Sequence, residues 1–169
     1  MTNAAASLRA NAPVDIDLVV DCELWSGLAA AEATVRCAIE AAAQAAGKPG
    51  AVAVMLTDDA SIRSMNAQWR GIDKPTNVLS FPAAAAPAAA GSAHLGDIAI
   101  AYETVAAESA SENKDFADHL AHLAVHGYLH LVGFDHETDE EAVRMEYLET
   151  QILSGLGIAD PYADQTTAD

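Results

Sequence analysis

The sequence is poor in cysteine and in long apolar runs. Its two cysteines, Cys22 and Cys37, form no C-x-x-C pair, so they predict neither a disulfide framework nor a thiolate zinc site. We expect both to be small buried side chains in a reducing compartment. No stretch is apolar for long enough to span a bilayer, and residues 1–20 lack the basic and apolar regions of a signal peptide. A cytoplasmic protein without a membrane partner is expected.

Positive charge is also scarce, with eight lysine and arginine residues against 25 aspartate and glutamate residues and a formal net charge of −17 at pH 7. This balance argues against broad attraction to nucleic acid or anionic lipid. Three of the eight basic residues fall within twelve positions, namely Arg63, Arg70 and Lys74. The cluster either stabilises a helix end or supplies a guanidinium for a phosphate and for the charge that builds on it in the transition state.

The patterns that are present predict an α+β fold, in which a small mixed four-stranded sheet is flanked by about five helices. Its 169 residues suit one domain, predicted over residues 14–160 between a flexible leader at 1–13 and a flexible tail at 161–169. The alanine-rich segment 83–90 is expected to be an exposed mobile loop. Strands are predicted at about 14–20, 51–56, 77–81 and 95–101, and helices at about 26–46, 58–69, 102–112, 116–132 and 139–154.

Three histidines give the strongest functional signal. His126 and His130 are four residues apart, and in a helix that spacing puts both imidazoles on one face. Gly133 can end the helix in the left-handed conformation and turn His136 back toward the same ion. Three imidazoles around an open fourth position form the ligand set of a catalytic zinc site. We therefore predict one Zn²⁺ bound by His126, His130 and His136.

The same spacing occurs in metzincin proteases, H-E-x-x-H-x-x-G-x-x-H, in which the glutamate is the general base. Here Gly127 stands at that position, and glycine cannot accept a proton. We therefore predict that the zinc-binding helix is metzincin-like and that the protein hydrolyses a bond other than the peptide bond. A metallopeptidase with an unusual base remains an alternative.

Three further residues near the motif are candidates for supporting or structural roles. His119 and His122 fall on the same helical stripe as His126. We expect His119 to face solvent and His122 to be at most a supporting residue beside the metal or the substrate. Asp135 either orients an imidazole or the attacking water, or only stabilises the turn at the helix exit.

Three motifs follow one another along the chain: Lys74-Pro-Thr-Asn-Val-Leu-Ser-Phe-Pro82, Leu95-Gly96-Asp97, and His126-Gly-x-x-His130-Leu-x-Gly133-Phe-Asp135-His136. Together they resemble the YbeY family of bacterial rRNA maturation factors, over about residues 52–162. The resemblance implies a single-strand-specific, metal-dependent endoribonuclease that acts in 16S rRNA 3′-end maturation and ribosome quality control.

The resemblance also implies that the three histidines bind zinc and that Arg70 is catalytic. The implied partners are single-stranded RNA, the ribosome, the Era GTPase and a small-subunit ribosomal protein. The acidic composition leaves another function open, that of a non-catalytic zinc-containing ribosome-assembly adaptor whose surface meets basic ribosomal proteins.

Overall fold

The computed structural model describes residues 14–84 and 93–163. The predicted leader, most of the alanine-rich loop and the end of the predicted tail lie outside the described residues. The strands are β1 (Asp15–Val20), β2 (Ala51–Thr57), β3 (Val78–Pro82) and β4 (His94–Ala101). The helices are α1 (Ala29–Ala46), α2 (Asp59–Arg70), α3 (Tyr102–Ser111), α4 (Phe116–Leu131) and α5 (Asp139–Gly155). This arrangement confirms the predicted α+β class.

The four strands form one mixed sheet in the order β1-β2-β4-β3. β1, β2 and β4 run parallel, and β3 pairs antiparallel with β4. Parallel neighbours need a crossover connection, and α1 provides the one between β1 and β2. β3 lies at one edge of the sheet, and the helix that carries the histidine motif packs against it.

Helix α4 packs into the core against α1, β3 and β4. Its apolar residues Leu120, Tyr128 and Leu129 are fully buried. Burying side chains of this size contributes about 1.5–3 kcal/mol each. This packing fixes the rotation of α4, so its histidine stripe lies toward α3 and α5.

Local sequence signals set most helix boundaries. The Asp58 carboxylate accepts a hydrogen bond from the Ser61 N–H at 2.8 Å and caps α2, and Thr138 with Glu141 forms a capping box at α5. Helix α1 begins at Ala29, three residues after the predicted start, and a 3-10 turn at Glu23–Trp25 precedes it. The Trp25 indole N–H donates to the Thr57 carbonyl at 2.8 Å and holds that turn against β2.

The expectation for the cysteines is wrong for Cys37, which is exposed, and holds only in part for Cys22, which is half-buried. Cys37 lies on α1 outside the buried stripe that includes Val35, Ala38 and Ile39, so helical periodicity turns it to solvent. Within the described ranges, no helix combines the length and the apolar character needed to cross a lipid bilayer.

Gly96 allows β3 to approach β4 beside the motif helix. Its φ is +145°, a region that is essentially restricted to glycine. A Cβ there would collide with the Phe81 carbonyl oxygen and would lie 2.7 Å from a Leu131 methyl carbon. We expect Gly96→Ala to destabilise the fold by about 2–3 kcal/mol, which lowers Tm by roughly 4–12 °C.

Thermal unfolding followed by circular dichroism measures this effect, with Gly155→Ala as the control. Gly155 lies in α5 with open space where its Cβ would be, so alanine should maintain or raise Tm there. An unchanged Tm for Gly96→Ala would contradict the assignment of backbone strain at this position.

Candidate metal centre

The three predicted histidines converge at the end of α4. His126 Nε2 and His130 Nε2 are 3.0 Å apart, and one ligand atom from each of His126, His130 and His136 lies within 4.8 Å of the others. His126 and His130 are half-buried, whereas His136 is exposed. The cluster thus has a half-buried side on α4 and an exposed side at His136.

A glycine-dependent turn brings His136 back to the helix. Gly133 has φ +101°; its N–H donates to the His130 carbonyl at 3.2 Å, and the Phe134 N–H donates to the Leu129 carbonyl at 3.0 Å. These two bonds form a Schellman motif, which reverses the chain after a helix. The Asp135 carboxylate accepts from the His136 N–H at 2.8 Å. This bond fits the role of Asp135 as a residue that stabilises the turn.

A buried glutamate fixes the orientation of His126. One carboxylate oxygen of Glu149, in α5, lies 2.7 Å from His126 Nδ1. A carboxylate accepts, so the His126 proton resides on Nδ1 and the Nε2 lone pair faces His130. A carboxylate behind the imidazole is the usual companion of a metal-binding histidine.

Glu149 also joins a wider network. Its other oxygen lies 2.7 Å from His122 Nε2 and accepts a hydrogen bond from the Tyr162 hydroxyl. Burial acts to raise the pKa of Glu149, but the hydrogen bonds from His122 and His126 outweigh it and hold the pKa at about 2. The carboxylate is therefore ionised at neutral pH although it is fully buried. His122 is thereby linked to His126 through one carboxylate.

Glu149 is not among the site residues predicted from the sequence. The available signal was an acidic residue on the buried stripe of α5, between Met145 and Ile152. A carboxylate at such a position requires a partner, but the sequence does not identify the histidines as that partner.

The protonation of His130 suits a metal ligand. Burial lowers its pKa, and the neighbouring His126 and His136 imidazoles lower it further. A lowered pKa favours the neutral imidazole, the form that coordinates a metal. Three imidazole nitrogens are a donor set that zinc binds in proteins, and the lowered pKa of His130 keeps one of them in the neutral form.

His119 does not face solvent as predicted, because it is only 5 % exposed. Helix α3 packs over this part of α4, and His119 Nε2 lies 3.6 Å from a Glu108 carboxylate oxygen. The spacing of the histidines correctly places His119 on the same face of α4 as His122 and His126, but it does not show that α3 covers this part of the face.

Arg70 reaches the same cavity as the three histidines, although it is the last residue of α2. Its Nη2 donates to the Ser80 carbonyl at 2.9 Å, while the Ser80 hydroxyl donates to the Gly127 carbonyl at 2.9 Å. One residue of β3 thus joins the arginine to the histidine helix. The shared cavity has a volume of about 610 Å³.

The neighbouring arginine differs in its environment. Arg63 forms a two-pronged ion pair with Asp73, at 2.8 and 3.2 Å, whereas no carboxylate in the described ranges pairs with Arg70. Because Arg63 already has a counter-charge, Arg70 is the better candidate for binding an anion.

Gly127, at the position of the metzincin base, is packed against the sheet. A Cβ there would lie 3.1 Å from Ile98 and 3.2 Å from both Ser80 and Val78. A Cβ at these distances would force neighbouring side chains to move by a few tenths of an ångström, and the longer side chain of glutamate would need more room still. Close packing explains the glycine and leaves this helix without the peptidase base.

A second group of possible ligand atoms comprises His122, His126 and Glu149. Both Glu149 oxygens already accept hydrogen bonds, which accounts for this group as a hydrogen-bonded network. The three-histidine group is the one that opens onto the cavity with Arg70.

Comparisons with known proteins show which sequences and which fold this chain is similar to. The model of a family described as endoribonuclease YbeY matches residues 25–157. A relative named endoribonuclease YbeY from Rhodopseudomonas palustris is 55% identical over 161 residues, covering 92% of this chain and 92% of the relative. One of the same name from Bradyrhizobium diazoefficiens is 55% identical over 158 residues, covering 89% and 85%. The solution structure of a Thermotoga maritima protein has a similar fold, with TM-score 0.51 and 23% identity, covering 86% of this chain and 97% of that one.

Proposed function

The chain belongs to the YbeY family, and from this premise we propose that it is a zinc-dependent endoribonuclease that hydrolyses phosphodiester bonds in single-stranded RNA. The observation that carries the proposal is the convergence of three imidazoles and one arginine on a single open cavity. A metal site beside a guanidinium suits a phosphodiester substrate, since the anionic phosphate oxygens can bind both the metal ion and the guanidinium.

In this proposal His126, His130 and His136 hold one zinc ion. When bound, the ion supplies Lewis acidity toward a phosphate oxygen and the attacking water. Glu149 keeps the proton of His126 on Nδ1, so that Nε2 remains available as a ligand atom.

Arg70 binds the phosphate and stabilises the negative charge that builds on it in the transition state. Its guanidinium has five N–H donors, and the bond to the Ser80 carbonyl fixes its direction. An anchored donor needs little reorganisation during the reaction, which is why such groups stabilise transition states effectively.

The metallopeptidase alternative is disfavoured by the packing of Gly127. The adaptor alternative draws support from the net charge of −17, which suits a basic protein partner better than naked RNA.

By family resemblance we propose that the biological substrate is rRNA, in 16S 3′-end maturation and ribosome quality control. The proposed partners are the ribosome, the Era GTPase and a small-subunit ribosomal protein. We also propose a single catalytic domain at residues 14–160.

Cleavage of a fluorescent single-stranded RNA by the zinc-loaded protein tests the function. We expect cutting that stops with a chelator and returns when zinc is restored, with no cutting of casein. A matched RNA duplex should resist cleavage. A strand with a 2′-deoxy residue at the cut site shows whether the RNA's own hydroxyl is the nucleophile.

Cutting that persists after complete removal of metal would contradict the proposal. Absence of cutting, together with retained zinc and binding to a basic ribosomal protein, would favour the adaptor. Casein cleavage that is abolished by the chelator would favour the metallopeptidase alternative.

A further inference from the structure

Trp69 is an exposed tryptophan next to Arg70 at the end of α2. Its side chain is 67 % exposed, although tryptophan is highly buried on average in folded proteins. By helical spacing Ile62, Asn66 and Trp69 fall on one stripe of α2, and the fold buries the first two but not Trp69. A position that continues the buried stripe is thus left open to a ligand.

The groove beside Trp69 adjoins the cavity of the three histidines. It has a volume of about 1100 Å³, and the two spaces share Arg70, Ser80 and Pro82 as lining residues. The Arg70 guanidinium is anchored to the Ser80 carbonyl at 2.9 Å, so it lies where the groove and the cavity meet. A chain molecule that passes Arg70 can therefore occupy both.

Two aromatic rings line the groove beside the guanidinium. The ring centroids of Trp69 and Phe81 are 6.3 Å apart, at an interplanar angle of 61°, and Arg70 Cζ lies 6.0 Å from the Phe81 centroid. Phe81 thus lies beside both the indole and the guanidinium. Because the two rings are not parallel, Phe81 does not stack on the indole, and the exposed indole can accept another planar group.

The charges of the groove decide which part of a nucleotide can enter it. The groove contains three exposed carboxylates, Asp17, Asp21 and Asp97, and Arg70 is the basic residue in its wall. Carboxylates repel a phosphate, so a sugar–phosphate backbone is held at Arg70. An uncharged nucleobase is not repelled, and the π-face of any base can stack on an aromatic side chain.

We propose that Trp69 is a base-stacking subsite, on which an unpaired RNA base stacks while a neighbouring phosphate lies at Arg70 and the metal centre. The inference rests on the proposed function in that the base belongs to the strand that is cut. Stacking tolerates any base, so the subsite recognises an unpaired base rather than a sequence. A duplex keeps its bases paired and stacked inside the helix, which gives a physical reason for a preference for single strands.

The first test uses the fluorescence of Trp69 itself. The chain has two tryptophans, and Trp25 is only 3 % exposed, so a base that stacks on the exposed indole should quench Trp69 selectively. We expect a short 2′-O-methyl oligoadenylate to quench the zinc-loaded protein. An abasic strand with the same number of phosphates should bind about 5- to 150-fold more weakly. Equal affinities, or the absence of quenching by the oligoadenylate, would overturn the proposal.

Trp69→Ala should weaken binding of a fluorescein-labelled oligoadenylate about 5- to 150-fold, whereas Trp69→Phe retains an aromatic face and most of the affinity. Stacking is not ionic, so the loss should be equal at low and moderate salt. Tyr147→Ala is the matched control, since Tyr147 is 66 % exposed on α5 and does not line the groove.

An affinity like that of the wild type in Trp69→Ala, or an equal loss in Tyr147→Ala, would overturn the assignment. Unchanged RNA affinity in Trp69→Ala together with lost binding to a basic ribosomal protein would also overturn it, and would show that the groove binds a protein instead.

Cleavage separates the subsite from the proposed function. RNAs with one abasic residue at successive positions should include a position near the cut where the missing base slows cleavage about 5- to 150-fold. In Trp69→Ala the same missing base should have little further effect, because the base has already lost its stacking partner. An undiminished effect in Trp69→Ala would retain the nuclease function and overturn the subsite. A protein that cuts no RNA but is quenched selectively by the oligoadenylate would lose the nuclease function and retain the subsite.

Discussion

Replacing Arg70 with alanine should lower the rate of RNA cleavage about 10²- to 10³-fold, as loss of one preorganised charge donor does in other enzymes. The guanidinium lines the cavity of the three histidines and is anchored to the Ser80 carbonyl at 2.9 Å. It supplies no metal ligand, so the zinc content should be unchanged. Single-turnover cleavage and metal analysis on the same preparation measure both quantities.

Arg63→Ala is the matched control for Arg70→Ala. Arg63 lies two turns earlier on α2 and is paired with Asp73 on the surface, so its loss should change cleavage little. Arg70→Lys should be intermediate, because it retains the charge but loses the planar fork. Normal cleavage by Arg70→Ala, or loss of its zinc, would disprove the assigned role.

Replacing Glu149 with glutamine should weaken zinc binding about 10- to 100-fold, the usual cost of removing a hydrogen-bond partner behind a metal ligand. The amide has the size of the carboxylate but cannot accept from both His122 and His126 through its two terminal atoms. The group that faces the amide N–H₂ loses its acceptor, and without the negative charge the amide holds the His126 Nδ1 proton less strongly than the carboxylate does. Competition with a chromophoric chelator measures the zinc dissociation constant.

The control for Glu149→Gln is Glu140→Gln, which removes an exposed charge from the same helix. Melting of the metal-free proteins distinguishes positioning from general stability, because a purely structural role would lower the apo Tm without altering the zinc affinity of the folded protein. An affinity equal to that of the wild type would contradict the proposed role of Glu149.

Much of the fold could be predicted, because it is governed by short-range signals. The alternation of Val52, Val54 and Leu56 reflects the two faces of β2, and the Thr138–Glu141 capping box marks the start of α5. Prediction failed where a distant contact overrode the local pattern. The 3-10 turn at Glu23–Trp25, which the local pattern did not indicate, is held by the hydrogen bond from the Trp25 indole N–H to the Thr57 carbonyl, 32 residues away.

For the candidate site, too, the part that short-range signals govern could be predicted. The spacing of His126, His130 and His136 and the glycine turn encode the three-imidazole cluster within eleven consecutive residues, since helix periodicity and a left-handed glycine suffice to bring them together. The sequence by itself therefore determined the cluster.

Only the tertiary structure decided what surrounds that cluster. Glu149 reaches His126 from 23 residues away, Arg70 reaches the cavity through β3, and α3 buries His119. Each of these depends on which helix face packs against which strand. That packing is determined by the burial of apolar surface over the whole chain, so spacing along a single segment cannot specify it.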